Sequence, residues 1–351
     1  MQIDKTETDQ KNKQKKKRRK RIKRIFLVCL LVLVTGLGVI SYGPVRTMAS
    51  LERVDDYPLF VMRYHGTYFF DLFAEHGIDW PIFKKFYKAL NPDACTSFAA
   101  FGDANNAIFS RNFDWIHRSS LLLFTDPPGG YASVSMVDLY YYGLEGLQEI
   151  PWKKRFNLLG TPYAIMDGMN EWGVAVGQNA VPFKKLPYDP NKPTLISNQL
   201  MRAVLDHARD VNEAITVIQE YNPNFPVVCC HLHIADASGG SAVVEYVDGK
   251  MVIVRNNRPW QISTNFLLSE TVPVPQTPDY WRYNKASEQL GKTMGRLSQD
   301  EAMKLLHGVS QENSTTWSIV YNLSTGAVQV ALGRDYEQIH SFQLKMKNQQ
   351  K

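Results

Sequence analysis

The stretch that decides the fold starts at Cys95-Thr96-Ser97-Phe98-Ala99-Ala100, turns at residues 102–106 and returns through Ala107-Ile108-Phe109-Ser110 to Arg111-Asn112-Phe113-Asp114. Two short apolar runs on either side of a Gly/Asp/Asn cluster are typical of a β-hairpin. Such a hairpin would bring Arg111 and Asp114 back beside Cys95. A thiol next to a cation and a carboxylate is the outline of a nucleophile site.

The net charge of +6 comes from a short N-terminal tail. Residues 1–24 hold 12 Lys and Arg against 3 Asp and Glu, a local charge of +9, so the other 327 residues sum to −3. The body is therefore not a basic nucleic-acid binder. At 351 residues the chain can bury one large core or two modest ones.

An apolar run at 25–42 follows the basic tail. As a helix it would rise roughly 25 Å, at the short end of a membrane span. Because basic flanks stay in the cytoplasm, we expect a cytoplasmic tail at 1–24, a transmembrane signal anchor at 25–42 and the rest of the chain outside. A signal peptide cleaved after Gly43 is the alternative, since Ser41 and Gly43 are small residues at a suitable offset.

Residues 43–94 are too rich in aromatic and apolar side chains for a disordered linker, as the runs at 57–64 and 67–73 show. This segment must pack on something, and the body after Cys95 is the nearest candidate. It is either an N-terminal helical subdomain or a segment that covers the site.

The rest of the chain mixes helical and strand patterns, in the order strands, helices, strands, which is typical of an α+β sandwich. Helices are predicted at 195–208, 211–221 and 298–306, the last two after the capping pairs Asp210/Glu213 and Ser298/Glu301. Strands are predicted at 163–166, 173–177, 227–235, 241–247, 251–255, 316–322 and 327–332, with a turn at 167–172, and residues 133–142 are either a strand or a substrate-facing loop.

The cysteine and the motif after it resemble the choloylglycine hydrolase family, which includes bile salt hydrolases, penicillin V acylase and the related acid-ceramidase and N-acylethanolamine amidases. In that family the chain is cut before a Cys-Thr pair, and an Arg-Asn-x-Asp motif follows at the spacing seen here. Cys95, Arg111 and Asp114 match residue by residue, although Ser110 stands where the family often has Gly. The resemblance implies the four-layer αββα fold of N-terminal-nucleophile hydrolases.

Three more motifs are similar to the family in the same order, so that the resemblance covers about residues 95–340. Asn179, behind Asn170-Glu171-Trp172-Gly173, takes the place of the Asn that follows the family's Asn-Glu-x-Gly turn. Ser263-Thr264-Asn265 looks like the second site Asn, and Arg282 occupies the place of the late Arg, with different flanking residues. The resemblance thus implies a catalytic domain at 95–346.

The chemistry that the resemblance implies begins with a cut of the Ala94–Cys95 bond, which favours residues 43–94 as a pro-segment. The freed α-amine, with a pKa of roughly 8, would be the general base for the thiol of the same residue. Asp114 would orient this amine and Arg111 would stabilise the thiolate. Side-chain N–H groups of Asn179 and Asn265 suit an oxyanion hole. Arg282 would support the charge network.

Two other interpretations of the cysteines use different partners. Cys229, His231 and His233 alternate along a predicted strand and could bind zinc, but a packed strand face is favoured because no second ligand cluster is evident. A papain-type pair of Cys95 with His231 is conceivable, although the sequence typical of such a cysteine is absent. We expect neither a metal nor a cofactor.

The sequence therefore predicts a single-pass membrane protein whose extracytoplasmic domain hydrolyses a linear, non-peptide amide of a small N-acyl substrate. An acyltransferase with the same acyl-enzyme and a catalytically inactive surface binding protein are the alternatives. No nucleic-acid partner is expected, a homo-oligomer stays open, and the acyl group and amine are not named.

Overall fold

The computed structural model describes residues 42–76, 95–115, 119–226 and 228–347. From Thr47 onward the chain forms one compact unit. Within the described ranges we find no helix with the length and apolar character of a membrane span. The predicted anchor at 25–42 lies outside the described residues, apart from Tyr42.

The larger sheet is built from nine of the described strands, numbered in chain order, and its only parallel neighbours among them are β2 and β5. Their order across the sheet is β1 (Glu52–Asp55), β2 (Leu59–Arg63), β5 (Ser120–Thr125), β6 (Ser133–Asp138), β7 (Ile165–Asn170), β8 (Ala175–Ala180), β11 (Cys230–Ala235), β12 (Ser241–Val247) and β13 (Lys250–Arg255).

The smaller sheet is antiparallel and contains six described strands. Their order is β14 (Trp260–Ser263), β3 (Thr96–Ala100), β4 (Ile108–Asp114), β15 (Thr315–Asn322), β16 (Ala327–Leu332) and β17 (Asp335–Gln343). The predicted hairpin around residues 102–106 is confirmed as β3–β4, with Ser97 opposite Arg111. A separate parallel pair joins β9 (Thr194–Ile196) to β10 (Asn222–Asn224).

The described helices are mostly short, and the four longest carry the helical layers. They are a helical stretch at 42–49, α1 (Phe70–Ala74), α2 (Trp152–Arg155), α3 (Ser197–His207), α4 (Val211–Gln219), α5 (Leu268–Thr271), α6 (Trp281–Thr293) and α7 (Gln299–Gly308), with 3-10 turns at Leu139–Tyr142, Phe156–Tyr163 and Pro278–Tyr280. Asp210 caps α4 as predicted, and Ser298 and Glu301 form the predicted capping box of α7.

Three apolar clusters set the order of the layers. In the first, Leu200 and Val204 of α3 pack on the nine-stranded sheet. The second lies between the two sheets around Phe109 and Trp317. In the third, Leu290 and Leu306 cover the other face of the six-stranded sheet. The predicted α+β sandwich is confirmed, with its layers in the order helix, sheet, sheet, helix.

Residues 47–76 belong to this sandwich. Strand β2 pairs with β5 from Leu59 to Arg63, and the side chains of Leu59 and Met62 are fully buried. The hydroxyl of Tyr68 donates to both carboxylate oxygens of Asp206 at 2.6 and 2.8 Å. The described part of the predicted pro-segment thus contains two strands, a helical stretch at 42–49 and the short helix at Phe70–Ala74, so it is not purely helical. Residues 77–94 lie outside the described residues.

The turn predicted at 167–172 is wrong, because β7 continues to Asn170 and the chain reverses at 171–174. Asp and Gly favour turns in isolation. Here the Asp167 carboxylate is buried and paired with Arg111, so the strand can hold a residue that usually avoids strands.

Candidate active site

Cys95 lies immediately before β3, and its side chain is buried between the two sheets. The hairpin return places Arg111 of β4 beside it: Nη2 of Arg111 donates to Sγ of Cys95 at 3.4 Å. Side chains alternate along a strand, so Arg111 reaches the thiol from the face between the sheets while Asp114 projects to the other face. The guanidinium of Arg111 lies beside the thiol as the hairpin predicts, and the Asp114 carboxyl is close enough for its charge to raise the pKa of the thiol.

The guanidinium of Arg111 is held by acceptors from the opposite sheet. Its Nη1 donates to Oδ2 of Asp167 at 2.6 Å, and its Nη2 also donates to the backbone oxygen of Gln178 at 2.7 Å. Asp167 in turn accepts from the hydroxyl of Tyr321 at 2.6 Å and from Nε1 of Trp317 at 3.3 Å. A fully buried ion pair needs such added hydrogen bonds to offset its desolvation.

Asp167 is a functional residue that the sequence analysis missed. Its signal was available: a carboxylate directly after the apolar run Ala164-Ile165-Met166 needs a buried cation. The turn composition of residues 167–172 concealed this requirement.

Asp114 is buried at the end of β4. Its Oδ1 accepts from the hydroxyl of Thr315 at 2.5 Å and its Oδ2 from Nε2 of Gln311 at 3.1 Å. Burial raises the pKa of Asp114 to about 6, from a usual 3.8, although the hydrogen bonds from Thr315 and Gln311 act in the opposite direction. The carboxyl therefore titrates close to neutral pH.

Burial also raises the pKa of the Cys95 thiol above its usual 9.0. Arg111 opposes this shift, Asp114 adds to it through its charge, and the backbone N–H of Asp114 and the guanidinium of Arg282 again oppose it. The net direction keeps the thiol protonated at neutral pH, so nucleophilic attack needs a base next to the sulfur.

Arg282 of α6 binds the backbone side of the cysteine. Its Nη1 donates to the carbonyl oxygen of Cys95 at 2.5 Å and to Oγ1 of Thr96 at 2.9 Å. Its Nη2 donates to Oδ1 of Asn265 at 3.0 Å, and Nδ2 of Asn265 donates to the backbone oxygen of Ala180 at 2.8 Å. Asn265 therefore joins the site through Arg282.

Asn179 of β8 is fully buried between the two sheets. Its Nδ2 donates to Oγ of Ser97 at 2.8 Å and to Oγ of Ser263 at 2.9 Å, so both amide hydrogens have serine acceptors. Its Oδ1 is buried and has no hydrogen-bond partner among the described residues. A role for Asn179 in an oxyanion hole requires at least one of these serine contacts to be exchanged.

Both histidines of the zinc alternative use both ring nitrogens on protein groups. His231 lies 3.1 Å from Oε1 of Glu245 through Nδ1 and 2.6 Å from Oγ of Ser263 through Nε2. His233 lies 2.9 Å from Oγ of Ser97 and 3.1 Å from Oγ of Ser241. Burial, together with the charge of His231, lowers the pKa of His233 to about 3. The packed strand face describes these residues better than a zinc site.

The pair of His231 and Glu245 holds the segment that carries Asn265. Nε2 of His231 also lies 2.9 Å from the backbone oxygen of Thr264. Glu245 accepts from the backbone N–H of Leu268 at 2.7 Å and from the hydroxyl of Ser269 at 2.5 Å. Burial alone would raise the pKa of Glu245, but hydrogen bonds from His231 and Ser269 bring it below its usual value. No motif in the sequence predicts this pair.

The site is thus a buried thiol at the start of a strand, flanked by two guanidinium groups, inside an αββα sandwich. A profile described as acyl-coenzyme A:6-aminopenicillanic acid acyl-transferase matches residues 102–337. The chain belongs to this family, to which the choloylglycine hydrolases and penicillin V acylases also belong. The family resemblance predicted from the sequence is therefore confirmed.

Its relatives include acylases and hydrolases. The chain is 25% identical over 276 residues to penicillin V acylase of Pectobacterium atrosepticum, covering 66% of this chain and 69% of that protein. The structure of penicillin V acylase from Agrobacterium tumefaciens superimposes with a TM-score of 0.52 at 22% identity, covering 71% and 91% of the two chains. A mutant conjugated bile acid hydrolase from Clostridium perfringens gives a TM-score of 0.53 at 16% identity, covering 72% and 93%. These two likenesses show the shared fold.

Proposed function

We propose that this protein hydrolyses a linear, non-peptide amide of a small N-acyl substrate, with Cys95 as an N-terminal nucleophile. The observation that carries the proposal is the guanidinium of Arg111, fixed by Asp167 and placed 3.4 Å from Sγ of Cys95. The names of its relatives, penicillin V acylase and conjugated bile acid hydrolase, agree with amide hydrolysis.

The first step is the cut of the bond between Ala94 and Cys95. In the continuous chain the nitrogen of residue 95 is a peptide amide and has no basicity, so the α-amine exists only after this cut. The amine then takes the proton of the thiol, whose pKa is raised by burial. Arg111 stabilises the thiolate that results, and the ionised carboxylate of Asp114 orients the ammonium.

The thiolate attacks the carbonyl carbon of the substrate, and the carbonyl oxygen becomes an oxyanion. Asn265 uses one of its Nδ2 hydrogens on Ala180 within the described part of the chain, which leaves the second for this oxyanion. The C–N bond breaks as the α-ammonium gives its proton to the leaving amine. Water, deprotonated by the α-amine, then hydrolyses the thioester and releases the carboxylic acid and the thiol of Cys95.

Acyl transfer is the second candidate, because the matching family profile is described as an acyl-transferase. The acyl-enzyme is the same, and an amine replaces water in the second half of the reaction. Product analysis with an added amine acceptor separates the two. An N-acyl product that grows with acceptor concentration while the free acid falls identifies a transferase.

We also propose that the chain is anchored by residues 25–42 in the cell membrane, with its catalytic domain outside the cytoplasm. The basic tail and the apolar run support this location. Alkaline carbonate extraction of membranes tests the anchor, and protease added to intact cells tests the side. Release by carbonate would contradict the anchor.

N-terminal sequencing and intact mass of the purified protein test the catalytic mechanism. We expect a new N-terminus at Cys95 in the wild type and none in Cys95→Ala. Cys229 is also buried, so Cys229→Ala is the matched control and should be cut like the wild type. An uncut chain whose Cys95 does not react with thiol probes would remove the α-amine and favour the inactive binding protein.

A further inference from the structure

An aromatic and basic surface lies on α2 and the turn after it. We call Trp152, Lys153, Lys154 and Phe156 the aromatic–basic patch. Trp152 is 52% exposed and Phe156 68% exposed, and both lysines are exposed. Large apolar side chains grouped on the surface beside lysines are typical of an interaction site, because their exposure to water is unfavourable unless a partner covers them.

Arg155, between Lys154 and Phe156, fixes the patch to the body of the protein. Nη1 of Arg155 donates to the backbone oxygen of Met48 at 2.8 Å and Nε to that of Ile150 at 3.1 Å. Its guanidinium lies 5.6 Å from the ring centroid of Trp152. Leu158, two residues after Phe156, is fully buried. Trp152 and Phe156 are therefore presented to solvent by a fixed turn.

A second group of exposed apolar side chains lies on another short helix. Phe69, Leu72 and Phe73, in and next to α1, are also exposed. The ring of Phe73 lies 6.1 Å from that of Tyr163, at the end of the same 3-10 turn that begins with Phe156. The contact between Phe73 and Tyr163 links α1 to the segment that follows the patch.

The covalent chain limits how far this surface can be from a membrane. Met48, which Arg155 binds, is six residues beyond the end of the predicted anchor at residue 42. Six fully extended residues span at most roughly 20 Å. With an anchor that ends at residue 42, Met48 is within this reach of the lipid headgroups, and Arg155 binds Met48 from the middle of the patch.

We propose that the aromatic–basic patch docks on the surface of an anionic phospholipid bilayer. The rings of Trp152 and Phe156 enter the boundary between headgroups and acyl chains, where aromatic side chains concentrate. Lys153 and Lys154 bind lipid phosphates. Docking would fix the orientation of the catalytic body on the membrane. This inference rests on the proposed membrane location and not on the proposed chemistry.

The test uses the full chain in nanodiscs of phosphatidylcholine with brominated acyl chains, with and without phosphatidylglycerol. Bromine quenches tryptophan fluorescence only at short range, so the loss of emission relative to unbrominated lipid reports insertion. Because the chain has 7 tryptophans, Trp152→Phe defines the contribution of Trp152. In that background Phe156→Trp adds an indole in the patch, and Phe183→Trp adds one at a site that is 71% exposed elsewhere.

We expect the wild type to lose more fluorescence than Trp152→Phe. Phe156→Trp should restore the quenching, and Phe183→Trp should not. Lys153→Glu with Lys154→Glu should reduce quenching only in discs with phosphatidylglycerol. Equal quenching of the two added tryptophans, or none at either, would overturn the proposal.

Two further outcomes separate the patch from the anchor and from self-association. If carbonate releases the chain, the anchor fails, and the same quenching measured on added vesicles decides whether the patch binds lipid by itself. A dimer in detergent that Trp152→Phe with Phe156→Ser converts to a monomer would assign the surface to a second copy and overturn the lipid proposal.

Discussion

Burial disfavours the ionised form of the Asp114 carboxyl. Its folded pKa of about 6 exceeds the usual 3.8, so the folded state binds its proton more tightly than the unfolded chain. The stabilising contribution of this group is fully present below pH 3.8 and is lost as the pH rises through about 6. The proposed mechanism uses the ionised form, which is the form that burial destabilises.

We predict that Asp114→Asn raises the free energy of unfolding at pH 7 by up to about 3 kcal/mol and changes it little near pH 4. The amide keeps a similar shape but does not ionise. Urea unfolding at the two pH values measures the difference. Activity should fall sharply, and the acidic limb near pH 6 in the wild-type rate profile should disappear. The account would be contradicted if Asp114→Asn lowered the free energy of unfolding, relative to the wild type, more at pH 7 than at pH 4.

Gly177 provides the space in which Arg111 approaches the thiol. A Cβ at this position would lie 3.0 Å from Cδ of Arg111 and 3.4 Å from Cζ of Phe109. We predict that Gly177→Ala displaces the guanidinium and lowers kcat, and that it destabilises the fold by about 1–3 kcal/mol through overpacking. Steady-state kinetics together with thermal unfolding measures both effects.

Gly291 in α6 is the matched control, because a Cβ there has nothing within 4 Å. Gly291→Ala should leave kcat unchanged and stabilise the helix by about 0.5–1 kcal/mol. Equal kinetics for the two alanine variants would show that Arg111 tolerates the added methyl group, and the argument for its fixed position would fail.

At the scale of elements, one buried carboxylate links the two sheets. Glu245 of β12 holds His231 of β11, and both bind the segment after β14 that carries Asn265. The hydrogen bonds of this pair act on the segment and not on the thiol. Glu245 and His231 are therefore positioning residues for Asn265.

We predict that Glu245→Gln destabilises the protein by about 1–3 kcal/mol, since a buried donor loses its acceptor. It should lower kcat more than it changes KM, because the misplaced Asn265 supports the transition state rather than substrate binding. Glu288→Gln, which alters an exposed pair with Lys292 in α6, should change neither value. An unchanged kcat in Glu245→Gln would remove the positioning role.

At the scale of the whole molecule, the segment before Cys95 contributes strands to the larger sheet. Leu59, Phe60 and Met62 of β2 are buried, and Tyr68 binds Asp206 across the body. A cut before Cys95 breaks the chain without breaking these contacts. Strands paired and buried in this way dissociate only when the sandwich unfolds.

We predict that the cut protein elutes as one particle in size-exclusion chromatography and gives two fragments after denaturation. Combining Phe60→Ala with Met62→Ala, which removes buried volume, should release the N-terminal fragment at lower urea concentration than in the wild type. A catalytic fragment that elutes alone and stays active in native buffer would show that residues 47–76 are dispensable.

The hairpin from Cys95 to Asp114 was predictable because its logic is local. A turn cluster between two apolar runs sets the strand pairing, and the pairing sets which residues stand beside the thiol. The helices capped by Asp210 and Ser298 were predictable for the same reason. Residues 47–63 were not, because β2 pairs in parallel with β5, a partner more than fifty residues away in the chain.

The sequence by itself determined the class of fold, the family and the order of Cys95, Arg111, Asp114 and Arg282, because these follow from local patterns and motif spacing. Only the tertiary structure decided that Asp167 holds Arg111, that serines occupy the amide of Asn179, and that Glu245 and His231 support Asn265. Each of these contacts joins strands that are distant in the chain, and burial between two sheets makes each hydrogen-bond partner obligatory. Such partners are chosen by packing, which local sequence does not encode.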